Sequence, residues 1–229
     1  RSGDDADLTP VHENGQPGRE ESPATVPAPS DLNPEQERVL RETAARLLIV
    51  AGPGTGKTHT LTRRIRHLIE RNGVQAERIL ALTFTRKAAE EMQTRLAALL
   101  GPGRALPRVT TIHGFCLGLL RECAAAEFGI AGEEEQQALM AEAAGVAWGS
   151  VTKRADLQLW VMRAKQNLLA PDAVSPSDDP GGFTAGYRAY QQLLRSQRML
   201  DYEDLVFNVV TRMETEPDYA GRCRGLFDH

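Results

Sequence analysis

No stretch of this 229-residue sequence approaches the roughly 18 to 20 uninterrupted apolar residues that a membrane-spanning helix needs. That excludes a spanning helix from the expected elements, and no membrane partner is anticipated. No secretory leader is expected either: where a basic and then apolar segment would stand, the first residues are acidic, polar and rich in proline. Cysteine is sparse, and Cys116, Cys123 and Cys223 are odd in number and in neither paired nor metal-ligand spacing. A disulfide framework is thereby excluded and a zinc site has little ground, which points to reduced thiols in the cytoplasm. There is no basic excess either, since the formal net charge is −4. Asp4, Asp5, Asp7, Glu13, Glu20 and Glu21, set against two arginines within residues 1–30, account for all of it and leave 31–229 neutral. A neutral body neither supports nor excludes nucleic acid, because basic groups can be gathered in one groove.

With 41% hydrophobic and 25% charged residues, the chain can bury one good core and a small second one. Residues 1–30 carry few large apolar side chains and much Pro, Gly, Ser, Asp and Glu, so they are expected to be a disordered tail or linker. The first residue is Arg rather than Met, and the polypeptide is read as a piece of something longer or as one from which a tag was removed. From Asp31 onward apolar runs alternate with amphipathic segments. Arg46–Val50 suits a strand buried on both faces. Leu61, Ile65, Leu68 and Ile69 then recur at helical spacing until Asn72-Gly73. Arg78–Phe84 and Val109–His113 are the second and third expected strands, followed by helices over Lys87–Leu100 and Phe115–Phe128. This alternation predicts an α/β fold with a parallel sheet. Beyond Gly129 only helices are predicted, over Glu133–Ala147, Val151–Leu169, Thr184–Met199 and Tyr202–Glu214, with Pro171–Gly182 as a loop.

The segment Ala51, Gly52, Pro53, Gly54, Thr55, Gly56, Lys57, Thr58 lies between the first strand and its helix, the context that gives a Walker A phosphate loop its meaning. Glycines let backbone N–H groups converge on phosphate oxygens, and the helix start adds partial positive charge. Lys57 would neutralise the β- and γ-phosphates, and Thr58 would hold Mg²⁺, so ATP and Mg²⁺ are the expected cofactors. Ala51 replaces the usual first glycine. Upstream, Gln36 stands in Leu32-Asn-Pro-Glu-Gln36, where an amide could read the adenine edge or simply be solvated on a helix.

Two further segments sit at the ends of the expected strands. Thr83, Phe84, Thr85 and Arg86 place hydroxyls, a ring and a cation at a carboxyl edge, where α/β sheets bind ligands; alternatively Phe84 is core and the hydroxyls cap a helix. Thr111 and His113 end the third strand, and His113 could equally be a buried, hydrogen-bonded histidine. Asp201, Glu203 and Asp204 read as a helix start, with Asp201 as cap, rather than as metal ligands.

Together these motifs resemble the UvrD/Rep family of superfamily 1 DNA helicases. Gln36 matches its Q motif. Ala81–Met92 is similar to motif Ia (TFTNKAAxEM), with Arg86 where Asn is common, and Thr111-Ile-His113-Gly-Phe115 is similar to motif Ib, in wording also close to the RecB/AddA helicase–nucleases. His59 stands where the family commonly has Arg near the nucleotide. The resemblance implies a P-loop NTPase (RecA-like) core over 31–121, a helical insertion over 122–200 and a return helix over 201–229, truncated before the Walker B strand. It implies single-stranded DNA as partner, contacted by Thr83, Phe84, Thr85, Arg86, Thr111 and His113, and a second motor domain in the same parent protein. The chain alone is expected to bind but not hydrolyse ATP and to be capable of self-association. A small-molecule kinase or a silent binding module are the other readings of a phosphate loop, but the kinase leaves the Ia- and Ib-like segments unexplained.

Overall fold

A computed structural model describes residues 32–44, 46–122, 127–179 and 181–229. The expected tail over 1–30 and Cys123 lie outside the described residues. Helix α1 (Pro34–Arg41) starts where its termini are satisfied: Asn33 Oδ1 accepts from the Gln36 backbone N–H at 2.9 Å, and Gln36 Oε1 accepts from Asn33 N–H at 3.0 Å. This reciprocal capping, with proline at the first helical turn, fixes the helix start.

The predicted strand over Arg46–Val50 is not one. It joins neither sheet among the described residues, and Leu48 and Val50 are 86% and 88% exposed. An apolar run takes strand geometry only when a neighbour accepts its N–H and C=O groups, and no described strand lies beside this one. Helix α2 (Lys57–Glu70) follows and buries Ile65 and Leu68.

Strand β1 (Leu80–Thr83), helix α3 (Arg86–Leu100), strand β2 (Arg108–Thr111) and helix α4 (Ile112–Glu122) complete the α/β unit. The strands pair in parallel from Leu80↔Arg108 to Thr83↔Thr111, so their carboxyl ends are level. Both are shorter than the apolar runs suggest. Ala76–Arg78 form a 3₁₀ turn before β1, and β2 ends at Thr111 because Thr111 Oγ1 accepts from Gly114 N–H at 3.1 Å and starts α4 there. Ile65, Leu68, Ile79, Ala81, Met92 and Leu96 form the core between α2, α3 and the strands.

Strand β3 (Gly129–Ile130), helices α5 (Glu133–Trp148), α6 (Arg154–Gln166) and α7 (Thr184–Ser196), and strand β4 (Met199–Leu200) come next. The two short strands correct the all-helical reading of this stretch. They pair in parallel, with Gly129 N–H donating to Arg198 O at 2.9 Å and Ala131 N–H to Leu200 O at 2.8 Å. Chain entry to and exit from the three helices therefore lie side by side. The helices share their own core, with Met140, Leu157, Val161, Tyr190 and Leu194 almost wholly buried.

Helix α8 (Tyr202–Thr215) returns to α4, where Leu205 and Val209 meet Cys116, Leu119 and Leu120. Burial pushes the Cys116 thiol above its ordinary range, which keeps it protonated and unreactive. A further helix, α9 (Pro217–Arg224), was not expected. Among the described residues no helix is long and apolar enough to cross a membrane.

After α9 the chain runs to the free edge of β1. Leu80 N–H donates to His229 O at 2.8 Å, and Asp228 N–H to Arg78 O at 2.8 Å. The Arg78 guanidinium grips the Asp228 carboxylate through Nη2 at 2.5 Å and Nε at 3.0 Å, and holds Asp228 below the usual carboxylate range. A lowered pKa means the clasp is formed above the ordinary carboxylate value and opens as pH falls through the lowered one. Arg78→Ala should leave the helical block untouched but speed hydrogen exchange at the Leu80 amide; unchanged protection there would show that the strand edge is held without the clasp.

Candidate functional site

The loop from Ala51 to Gly56 owes its path to two residues in the left-handed region, Gly54 at φ 74° and Gly56 at φ 83°. Side chains with a Cβ are strained there. Gly56 is also the residue before α2, and no side-chain hydrogen bond caps that helix. Its first-turn amides and partial positive charge are thus left for an anion. The Lys57 ammonium folds back on the loop, donating to Ala51 O at 3.0 Å and Gly52 O at 2.5 Å, while Thr55 Oγ1 donates to Gly52 O at 2.8 Å. Pro53 stands exposed at the loop's bend.

Gln36 does more than cap α1. Its Nε2 donates to Thr55 O at 3.2 Å, and a Cβ on Gly56 would come to 3.2 Å from the same nitrogen. The amide therefore ties α1 to the loop, and Gly56 is needed for the close approach. A cavity of about 440 Å³ opens here, lined among others by Gln36, Val50, Ala51, Thr55 and Lys57. Thr58 and His59 stand in the first turn of α2, outside the lining. Thr58 is exposed. Among the described residues no group of three His, Cys, Asp or Glu could hold a metal by itself. A divalent ion at this loop would rely on phosphate oxygens with Thr58, the usual manner for Mg²⁺.

The level ends of β1 and β2 make a second surface. Phe84 is 98% exposed, so the alternative that it is core is overturned. Thr85 Oγ1 accepts from Ala88 N–H at 3.1 Å and caps α3, and Thr83 Oγ1 donates to Thr85 O at 3.0 Å. With Thr111 capping α4, each of the three hydroxyls is engaged by backbone. His113 lies in the first turn of α4 and is only half-buried, its ring 4.9 Å from that of Tyr202 and tilted by 42°. The deeply buried alternative for His113 therefore does not hold. Arg86 Nη2 makes a long hydrogen bond to the Tyr202 hydroxyl at 3.4 Å. Sequence reasoning passed over Tyr202, which reads there only as the first residue of a helix. Beside it, burial first and Asp201 second push the Glu203 carboxyl above its ordinary range.

Asp201 caps α8 as expected, accepting from Asp204 N–H at 2.8 Å. Their partner was not anticipated. Lys165 of α6 is fully buried, with Nζ 2.5 Å from Asp201 Oδ2 and 2.8 Å from Asp204 Oδ1. Tyr190 and Gln191 add donors at 3.0 and 3.1 Å.

The model of the UvrD/REP helicase N-terminal domain matches residues 32–229. The chain belongs to the UvrD/REP helicase family. This UvrD/REP chain is 34% identical over 223 residues to the ATP-dependent DNA helicase UvrD1 of Mycobacterium tuberculosis, covering 89% of the chain and 29% of the relative. It is 33% identical over 210 residues to the ATP-dependent DNA helicase PcrA of Leuconostoc citreum, and 30% over 205 residues to PcrA of Bacillus subtilis, covering 86% and 82% of the chain and 28% and 27% of those proteins. It spans under a third of the length of these curated relatives.

Proposed function

We propose that the parent protein is an ATP-driven DNA helicase or translocase acting in repair or recombination, and that this chain supplies its nucleotide-binding loop and part of its single-strand track. The observation that carries the reading is the pairing of two surfaces on one α/β unit. One is the Lys57 loop at the uncapped start of α2; the other is the level edge where Phe84 stands 98% exposed beside Arg86 and His113. An exposed ring with an arginine two residues along the chain suits base stacking and phosphate contact in a single strand.

On this reading the triphosphate displaces the loop carbonyls of Ala51 and Gly52 from the Lys57 ammonium and takes the α2 amides. The capping box already occupies one lone pair of Gln36 Oε1, so the second lone pair and the free hydrogen of Nε2 are what remain for adenine. Thr58 and phosphate oxygens would hold Mg²⁺, which would supply charge neutralisation. Among the described residues Glu35 is the one carboxylate in the cavity wall, and no arginine lines it. The groups that activate water and stabilise the leaving phosphate would come from other parts of the parent, its second motor domain included, so this chain binds ATP without appreciable turnover.

Two measurements test the reading. Calorimetric titration of the chain with Mg-ATP should show binding, and absence of heat would remove the nucleotide assignment. Phe84→Ala should weaken anisotropy-detected binding of a labelled oligothymidylate by about 1–3 kcal/mol, the usual value of one stacked base, with an unchanged melting temperature. A variant that melts lower but binds normally would return Phe84 to a structural role.

A further inference from the structure

Arg86 and His113 come from different strand ends, yet both meet one side chain of a third element, Tyr202 at the start of α8. Its hydroxyl accepts from Arg86 Nη2 at 3.4 Å and its ring lies 4.9 Å from the His113 ring, while 45% of the residue remains exposed. A long, flexible arginine in solvent samples many rotamers, and a phosphate contact made from such a state loses the entropy of ordering it. Tyr202, by contrast, is anchored. It follows Asp201, whose carboxylate is locked between Lys165 Nζ, Tyr190 OH and the Asp204 amide. The path from the buried ion cluster of the helical block to the exposed edge of the sheet is therefore one peptide bond long.

We infer that Tyr202 is a positioning residue of the single-strand surface: its hydroxyl holds the Arg86 guanidinium and its ring backs the His113 imidazole, so that α8 sets where both meet the nucleic-acid backbone. The inference rests on the proposed DNA-binding reading of this edge and adds to it a residue from outside the two strand ends. An aromatic ring beside the track also leaves the tyrosine able to extend the stacking surface begun by Phe84.

The test uses this chain and a labelled oligothymidylate, with binding followed by anisotropy across a series of salt concentrations. Tyr202→Phe keeps the ring and loses the hydroxyl; it should weaken binding about three- to five-fold, the effect of one modest hydrogen bond. The same change made in an Arg86→Gln background should have almost no further effect, because the hydroxyl acts through Arg86. Tyr202→Ala should weaken binding about ten-fold, as ring contact is lost too. Independently of DNA, the His113 ring protons should move downfield in Tyr202→Ala, when the neighbouring ring current goes, and stay in place in Tyr202→Phe. Additive losses in the Arg86 background, or His113 resonances blind to the ring, would overturn the positioning role. Should Phe84→Ala and Arg86→Gln weaken binding while both Tyr202 variants bind normally, the DNA-binding reading stands and this inference falls. A chain on which none of these substitutions alters binding, or which does not bind the strand, overturns both.

Discussion

Lys165→Ala should lower the chain's stability by about 3–5 kcal/mol, the range for removing one partner of a buried ion pair, and its melting temperature by roughly 10 °C. The cluster contains one cation and two carboxylates, all at 3% side-chain exposure or less, so the variant leaves two acids facing each other without water. The remaining donors, Tyr190 OH, Gln191 Nε2 and the backbone amides of Asp201 and Asp204, are neutral. Burial pushes the Asp204 carboxyl above its ordinary range, and Lys165 is the main influence opposing that rise. A raised carboxylate pKa means the folded state binds protons the unfolded state has released, so stability increases as pH falls through the raised value toward the unfolded one. Loss of Lys165 extends that window upward. The deficit of the variant should therefore shrink when pH is taken from about 7 to about 5, and Asp204→Asn in the same background should recover part of it. Thermal melts at several pH values check this. A Lys165→Ala chain that melts like the parent at neutral pH would show that the two acids find another partner or solvent.

Lys57→Ala should cost Mg-ATP affinity about 10- to 100-fold, corresponding to the loss of one or two hydrogen bonds to charged phosphate oxygens. The fold should survive, because Lys57 is exposed and its contacts are to the loop's own Ala51 and Gly52 carbonyls. Lys87→Ala on α3, also exposed, serves as the control and should titrate like the parent. Equal affinities for the two variants in calorimetry would mean that phosphate does not sit at this loop.

The helices were legible because their apolar residues repeat at helical spacing over several turns: α3 begins within one residue of its expected start, and α5 ends within one of its expected end. Strand identity was less legible. Arg46–Val50 has the composition of a buried strand, but composition cannot supply the neighbour that pairs with it. The pairs β3 and β4 have two residues each, too few for any alternation to register. At the site, the local motif around Gly54, Gly56 and Lys57 could be read directly, since a loop's chemistry lies in contiguous residues. What joins distant positions could not. Nothing near Lys165 signals a buried charge, because its partners arrive 36 residues later, and Tyr202 meets Arg86 across 116 residues of chain. Phe84 shows the reverse case: its run of apolar neighbours left core and surface equally open until the strand was seen to end at Thr83.

The clasp between Arg78 and Asp228 spans 150 residues of sequence, which sets an order of events on the ribosome. At about 5–20 residues added per second, Arg78 emerges roughly 8–30 s before its partner. For that interval the outer edge of β1 has no Asp228 or His229 to meet it, while β1, α3 and β2 can already join through contacts close in sequence. The helical block, whose neck β3–β4 closes before α8 is made, is then in place first, and docking of Asp228 and His229 onto β1 follows it. Premature strand partners for β1 therefore compete with native folding only during this interval, and a slower ribosome lengthens it in proportion.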